Sequence, residues 1–244
     1  MLKKSISFIP SLATLANLAA GMTALFFVSV NRIDLGALMV MVSIMFDFLD
    51  GTLARKLNAV TPFGGELDSL ADMVSFGVVP GVLAVAALSG TLLLPAWIAG
   101  ISYALCAACR LARYNIRGIS DIEAHGFVGL PTTGAGGCIA GAIILHEMMF
   151  AAGDITRFTT IALITLLFAL SVLMISHVPY LHVGTLLGRI PRKMIYIGAL
   201  LIAATAFLWG YAPMFFIFFM LYVTSGPLLA TAEKVREHSR AING

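Results

Sequence analysis

Eight apolar stretches, each close to the length of a membrane-crossing helix, run along almost the whole chain. A helix needs about 20 apolar residues to cross the hydrocarbon core of a bilayer, and backbone polar groups there require a helix or a closed barrel. With 60% hydrophobic and 11% charged residues among 244, the composition excludes an ordinary soluble domain. The sequence therefore predicts an all-α, polytopic membrane helix bundle of about eight transmembrane helices. The stretches cover approximately residues 10–30, 35–55, 66–88, 92–112, 131–152, 157–176, 192–210 and 212–232.

Four aspartates lie toward the ends of the second and third apolar stretches. Asp47 and Asp50 are three residues apart, and Asp68 and Asp72 are four residues apart. Because steps of three and four residues return to one face of a helix, each pair presents two carboxylates together. Residues 61–65, Thr-Pro-Phe-Gly-Gly, contain strong helix breakers. We therefore expect a hairpin in which the two pairs face each other and four carboxylates converge on one cavity.

Four ionised carboxylates in membrane helices require a compensating partner, since each costs about 2.5–3.5 kcal/mol on insertion scales. Ligands that are all oxygen favour Mg²⁺, Mn²⁺ or Ca²⁺ over zinc, and the nearby sequence offers no histidine or cysteine. Two such ions about 3.5–4 Å apart are the usual arrangement for in-line displacement at phosphorus. Gly51 and Ala54 leave space beside Asp50, and Arg55 supplies a phosphate donor. These features suit a nucleotide diphosphate.

The segment from residue 47 to residue 72 follows the pattern Asp-x2-Asp-Gly-x2-Ala-Arg-x8-Gly-x3-Asp-x3-Asp. This pattern resembles the signature of the CDP-alcohol phosphatidyltransferase family. The resemblance implies a six-helix catalytic core that transfers a phosphatidyl group from a CDP-linked lipid and releases CMP. It also implies two divalent cations, Mg²⁺ or Mn²⁺, held against the pyrophosphate by the four aspartates, with Asp72 as general base. The residues then expected to line the cytidine diphosphate site are Gly51, Ala54, Arg55 and Gly64.

Three further segments are similar to the serine-using branch of this family, namely residues 74–80, Val-Ser-Phe-Gly-Val-Val-Pro, residues 110–115, Arg-Leu-Ala-Arg-Tyr-Asn, and residues 127–131, Phe-Val-Gly-Leu-Pro. The resemblance implies CDP-diacylglycerol as donor and L-serine as acceptor. Arg110 and Arg113 share a helix face and are expected to bind the serine carboxylate or a lipid phosphate.

Other functions stay open at this point. Inositol phosphate or glycerol phosphate would also attract arginines, and an archaeal-type lipid is an alternative donor. A cation transporter whose aspartates form the ion path belongs to a different class of protein. That class gives no evident purpose to the spacing of the glycines, alanine and arginine within the signature. No nucleic acid partner is expected.

The positive charges predict the orientation of the bundle. With a cytoplasmic N-terminus, 13 lysines and arginines fall on the cytoplasmic side, and only Arg32 and Arg157 fall outside. This bias places both termini and the aspartates at the cytoplasmic side of the cell membrane. We expect a catalytic core over residues 1–190 and two additional helices with a short cytoplasmic tail over residues 191–244.

Small and polar residues inside the apolar stretches predict close contacts between helices. Asn17 is expected either to face the nucleotide cavity or to make an interhelical hydrogen bond. Gly77-x3-Gly81 and Gly137-x3-Gly141 favour close helix packing, which could serve internal packing or the homodimer that the resemblance favours.

Overall fold

The computed structural model describes residues 8–57, 59–88, 92–125, 127–151, 157–180 and 211–243. Helices account for nearly all of these residues, which confirms the predicted all-α bundle. Two short strands, β1 (Phe127–Val128) and β2 (Pro179–Tyr180), pair in antiparallel fashion. The seven helices of the described residues are α1 (Phe8–Ser29), α2 (Ile33–Lys56), α3 (Pro62–Ala87), α4 (Leu93–His125), α5 (Thr132–Ala151), α6 (Arg157–Ile175) and α7 (Tyr211–Asn243).

Six of these helices contain a segment that is long and apolar enough to cross a membrane, as an integral membrane protein requires. The predicted helix at 192–210 and the predicted domain boundary after residue 190 lie outside the described residues. The six segments are Pro10–Ser29, Ile33–Lys56, Pro62–Ala87, Leu93–Ile116, Phe158–Ile175 and Pro213–Thr231.

Helix α5 is not among the six apolar segments, although the sequence predicts a membrane helix there. It occupies the interior of the bundle, where Ala135, Cys138, Ile139 and Ile143 are fully buried. A helix that is surrounded by other helices needs small residues for close approach more than it needs uniform apolarity. The Gly-rich and Ala-rich sequence of α5 fits that position.

Helix α3 begins four residues earlier than the sequence predicts. Thr61 is its N-cap, and the Thr61 hydroxyl accepts a 3.0 Å hydrogen bond from the Gly64 backbone N–H. The assignment of Pro62, Gly64 and Gly65 to the connection is therefore wrong, because all three lie in the first turn of the helix. Proline is compatible with the first helical position, where its missing N–H needs no partner.

The middle of α3 is a π-helical segment, Met73–Val78, which begins directly after Asp72. Such π-helical segments interrupt the regular hydrogen bonds of an α-helix and occur frequently at functional sites. The buried Tyr103 hydroxyl of α4 donates a 2.9 Å hydrogen bond to the Phe76 carbonyl oxygen within this segment. This hydrogen bond attaches the π-helical segment to α4.

The paired glycines predicted to allow close packing do so within the chain. A Cβ atom at Gly81 would lie 2.9 Å from the carbonyl oxygen of Gly100 in α4. A Cβ atom at Gly141 would lie 2.9 Å from the backbone of Phe216 in α7, and Gly137 lies directly against the Phe219 ring. Of the two uses that the sequence left open, these glycines serve internal packing.

Candidate metal and substrate site

Three of the four predicted metal ligands lie close together. One carboxylate oxygen from each of Asp47, Asp50 and Asp68 lies within 4.8 Å of the others, so the three residues form a compact group, the aspartate cluster. The first two belong to the C-terminal half of α2 and the third to the second turn of α3. The structure therefore brings the predicted carboxylates of two different helices to one place.

Asp72 occupies a more interior position one turn further along α3. Its side chain is buried and is not part of the 4.8 Å group, but its charge interacts with all three members of the aspartate cluster. The Asn17 Nδ2 group donates a 3.2 Å hydrogen bond to Asp72 Oδ1. Asp72 is thus adjacent to the cluster and separately held by α1.

The aspartate cluster has the properties of a site for a divalent cation. Asp50 Oδ2 and Asp68 Oδ1 are buried and lack any hydrogen-bond partner among the described residues. In that part of the chain, none of the four aspartates forms a salt bridge with a lysine or arginine. A buried carboxylate without a partner is costly, and an all-oxygen donor set suits hard divalent cations. The residues present therefore fit the metal ions that the sequence predicts.

Two threonines beside the aspartate cluster were not predicted from the sequence. Thr133, in the first turn of α5, donates a 3.4 Å hydrogen bond to Asp47 Oδ2. Thr14 of α1 lies near the Asp50 side chain, and its hydroxyl donates a 3.2 Å hydrogen bond to the Pro10 carbonyl oxygen. Thr14 lies three residues before Asn17, so the shared helix face offered a signal for it. No local signal connects Thr133 with an aspartate 86 residues earlier.

Asn17 is the centre of a buried polar junction between three helices. Its backbone carbonyl oxygen accepts hydrogen bonds from Ser43 Oγ of α2 at 3.0 Å and from Ser75 Oγ of α3 at 3.2 Å. The side chains of all three residues are fully buried. Since the Asn17 amide also reaches Asp72, the interhelical hydrogen bond is the alternative that the structure supports. Its predicted contact with a nucleotide stays a prediction.

The sequence offered a signal for both serines. Ser43 lies four residues before Asp47, and Ser75 lies three residues after Asp72. Each serine therefore shares a helix face with a predicted metal ligand. A polar residue at such spacing inside an apolar stretch indicates an interhelical hydrogen bond.

The four residues predicted to line the nucleotide site lie toward the C-terminal end of α2 and at the N-terminal end of α3. A Cβ atom at Gly51 would meet only the Arg55 guanidinium, at 3.9 Å, so the surface here is open. Ala54 is half-buried and Arg55 is exposed. A Cβ atom at Gly64 would lie 3.1 Å from Thr61 Oγ1, which gives this glycine a role in the helix cap. Nucleotide binding by these residues remains a prediction.

The two predicted arginines have different surroundings. Arg110 is only 7% exposed, and its Nε atom is buried without a hydrogen-bond partner among the described residues. Its charge interacts most strongly with Asp72 and then with the tyrosines around it. Arg113 instead donates from Nη1 to the Ile175 carbonyl oxygen at 2.9 Å, at the C-terminal end of α6. Of the two arginines, Arg110 is therefore the one that lies near Asp72, whereas Arg113 is bonded to the end of α6.

The sequence of the chain is similar to one protein family and to several proteins of named activity. A family model described as CDP-alcohol phosphatidyltransferase matches residues 7–235. The chain is 35% identical over 134 residues to a CDP-diacylglycerol–serine O-phosphatidyltransferase of Bacillus subtilis (strain 168), covering 55% of this chain and 74% of that protein. It is 39% identical over 142 residues to a protein of the same name from Methanocaldococcus jannaschii, covering 58% of this chain and 60% of the relative.

A third relative extends the similarity over more of the chain. A CDP-diacylglycerol–serine O-phosphatidyltransferase of Mycobacterium leprae (strain TN) is 30% identical over 207 residues, covering 83% of this chain and 67% of that protein. The match to the Methanocaldococcus protein falls short of two thirds of its length. The similarity to each of these proteins therefore covers part of its length.

Proposed function

The chain belongs to the CDP-alcohol phosphatidyltransferase family, and on this premise we propose that it transfers a phosphatidyl group from CDP-diacylglycerol to L-serine. The products are phosphatidylserine and CMP. The observation that carries this proposal is the aspartate cluster, whose buried carboxylate oxygens lack partners within a membrane helix bundle. The choice of serine is supported by the three similar proteins, each of which is named CDP-diacylglycerol–serine O-phosphatidyltransferase.

The proposed cofactors are two divalent cations, Mg²⁺ or Mn²⁺, held by the aspartate cluster together with Asp72. Members of this family use divalent metals. Bound cations would neutralise charge on the pyrophosphate and on the departing CMP. The all-oxygen donor set and the absence of a salt bridge to these aspartates in the described residues support that assignment.

In the proposed reaction, the hydroxyl oxygen of serine forms a bond with the phosphorus that carries diacylglycerol. The bond between this phosphorus and the oxygen of CMP breaks, and CMP leaves with the electron pair. The hydroxyl proton passes to Asp72, which acts as general base. Burial of Asp72 and its fixed contact with Asn17 support this role, because a base must be held in a defined orientation.

Arg110 is proposed to bind the carboxylate of serine. Its guanidinium is buried, has a free Nε donor and interacts with Asp72. The carboxylate and hydroxyl groups of serine are only a few bonds apart, so one molecule reaches both residues. For Arg113, binding of a lipid phosphate remains the proposal, with part of its guanidinium already bonded to the end of α6.

The position of the site in the membrane follows from the same scheme. We propose that the site and both termini lie at the cytoplasmic side of the cell membrane, where serine and CMP exchange with water. The acyl chains of the donor remain in the bilayer. Gly51, Ala54 and Arg55 are proposed to contact the cytidine diphosphate. A homodimer is proposed from the family resemblance alone.

The direct test is product identification with the purified full chain in lipid vesicles. CDP-diacylglycerol and Mn²⁺ are supplied with serine, inositol phosphate, glycerol phosphate or no acceptor, and the lipid products are identified by mass spectrometry. We expect phosphatidylserine with serine only. A product with another acceptor contradicts serine as the acceptor, and no transfer with any acceptor contradicts phosphatidyl transfer.

A further inference from the structure

Helix α7 lies outside the predicted six-helix core, yet it packs closely on the interior helix α5. One of these packing contacts joins Gly134 of α5 to Tyr222 of α7. A Cβ atom at Gly134 would lie 2.7 Å from Cε1 of the Tyr222 ring, so a glycine is required for the ring to lie here. Gly134 directly follows Thr133, which hydrogen-bonds with Asp47. Tyr222 therefore lies against the turn of α5 that touches the aspartate cluster.

A second tyrosine fixes α7 at this level. The Tyr180 hydroxyl of β2 donates a 3.0 Å hydrogen bond to the Val223 carbonyl oxygen. Pro227, four residues further along α7, has no N–H to offer that carbonyl, so the tyrosine replaces the missing helical hydrogen bond. Gly226 lies directly against the Tyr180 ring.

The two tyrosine rings also touch each other. The centroids of the Tyr180 and Tyr222 rings are 5.9 Å apart, with the ring planes tilted by 46°. Because β2 anchors α7 beside this contact, Tyr222 has a defined position rather than a free one. Among the described residues, the contacts of Tyr222 with Gly134 and Tyr180 involve its ring and not its hydroxyl group.

Tyr222 lies near the buried guanidinium that is proposed to hold the acceptor. Tyr222 and Arg110 are close enough for the ionisation of each side chain to affect that of the other. The two residues come from α4 and α7, and Arg110 also lies near Asp72. A half-buried phenol next to a guanidinium with a free Nε gives two kinds of donor for one anion.

We propose that Tyr222 is a specificity-determining residue, whose hydroxyl recognises the carboxylate of an amino-acid acceptor together with Arg110. The proposal rests on the proposed function. Charge-assisted hydrogen bonds from a phenol and a guanidinium discriminate strongly against an acceptor that lacks the carboxylate, because the buried donors are then left unpaired. Helix α7 thereby contributes selectivity to the site.

The test compares L-serine with serinol, which has a hydroxymethyl group in place of the carboxylate. In the wild-type protein we expect kcat/KM to favour serine. Tyr222→Phe removes only the hydroxyl and is expected to raise KM for serine about tenfold, with KM for CDP-diacylglycerol and kcat nearly unchanged. The ratio of kcat/KM for serine to that for serinol is expected to fall by a similar factor.

Tyr103→Phe is the matched control, because its hydroxyl is committed to the Phe76 carbonyl oxygen. This variant is expected to lower the unfolding temperature and to keep the serine-to-serinol ratio. If Tyr222→Phe keeps both the KM for serine and that ratio, while the wild-type protein makes phosphatidylserine, the role of Tyr222 is overturned and the proposed function stands. If the wild-type protein makes no phosphatidylserine, both proposals are overturned.

Discussion

The two ends of α2 carry charged residues in contrasting environments. Near its start, Asp34 Oδ2 lies 3.1 Å from Arg32 Nη2, and the two side chains are 45% and 56% exposed. Near its other end, Asp47 and Asp50 meet Asp68 without a salt bridge to any described lysine or arginine. The first pair is neutralised by its own partner and by water. The second group has no such partner among the described residues, and this difference is the reason why we propose a cation site at that end of the helix.

The largest effect is expected from a change within the aspartate cluster. Asp68→Asn keeps the size of the side chain, but it removes one negative charge and so lowers the affinity for a divalent cation. We expect serine-dependent CMP release to fall about 1,000-fold, since metal stabilisation of the transition state is worth several kcal/mol. The unfolding temperature without metal should be equal to or above that of the wild type, because a buried uncompensated charge is lost. Near-normal turnover would contradict the role of the cluster.

A smaller loss is expected from the residue that orients Asp72. Asn17→Ala removes the 3.2 Å hydrogen bond to Asp72 Oδ1 and is expected to lower kcat about 10-fold to 100-fold, as for other residues that orient a functional carboxylate. KM for CDP-diacylglycerol should change little if the amide acts through Asp72. A large rise in that KM would instead favour direct contact with the nucleotide.

Ser43→Ala provides the control for Asn17. Among the described residues, the hydroxyl of this serine donates to the backbone carbonyl oxygen of Asn17 and not to its side chain, so the amide contact with Asp72 remains. We expect a loss of stability near 1 kcal/mol for the missing hydrogen bond and less than a threefold change in kcat.

Binding of a metal ion without substrate is expected to stabilise the folded protein through the aspartate cluster. A ligand that binds only the folded protein at 100 times its dissociation constant stabilises it by about 2.7 kcal/mol. For the wild-type protein in detergent, Mn²⁺ should therefore raise the unfolding temperature by roughly 5 °C. Asp50→Asn, which removes the carboxylate with the unpaired Oδ2, should lose most of this shift. An equal shift in both proteins would place the metal elsewhere.

The smallest effect is expected at the opposite end of α2. Asp34→Asn is the same chemical change as Asp68→Asn, but it alters an exposed ion pair at the start of α2. Exposed pairs contribute little because water solvates both partners. We expect unchanged turnover and an unchanged response of the unfolding temperature to Mn²⁺. A loss of activity similar to that of Asp68→Asn would remove the distinction between the two ends.

The aspartate cluster and the bundle could be predicted from the sequence because their signals are local. Carboxylates three or four residues apart must share a helix face, and the lengths of the apolar stretches fix the fold class. Arg110 and Arg113 illustrate the limit of such reasoning. Their spacing predicts one shared site, but Arg113 hydrogen-bonds instead with the C-terminal end of α6. The partner that captures a long side chain depends on which helix packs beside it.

Contacts between distant parts of the chain were also beyond the local pattern. Thr133 reaches Asp47 across 86 residues, and Tyr180 reaches Val223 across 43. The second contact makes physical sense once the structure is known, because Pro227 leaves that carbonyl without its helical partner. A proline within a membrane helix therefore indicates that the carbonyl oxygen four residues earlier needs another hydrogen-bond donor. Only the packing of the helices shows which residue supplies it.

The most direct test of the contrast between the two ends of α2 is the metal dependence of CMP release. Purified protein is supplied with CDP-diacylglycerol and L-serine, first with a chelator and then with Mn²⁺ or Mg²⁺ in excess. We predict no release with the chelator, full recovery with either cation in the wild type and in Asp34→Asn, and no recovery in Asp68→Asn. Serine-dependent release that persists with the chelator, or recovery in Asp68→Asn, would contradict a catalytic metal site at the aspartate cluster.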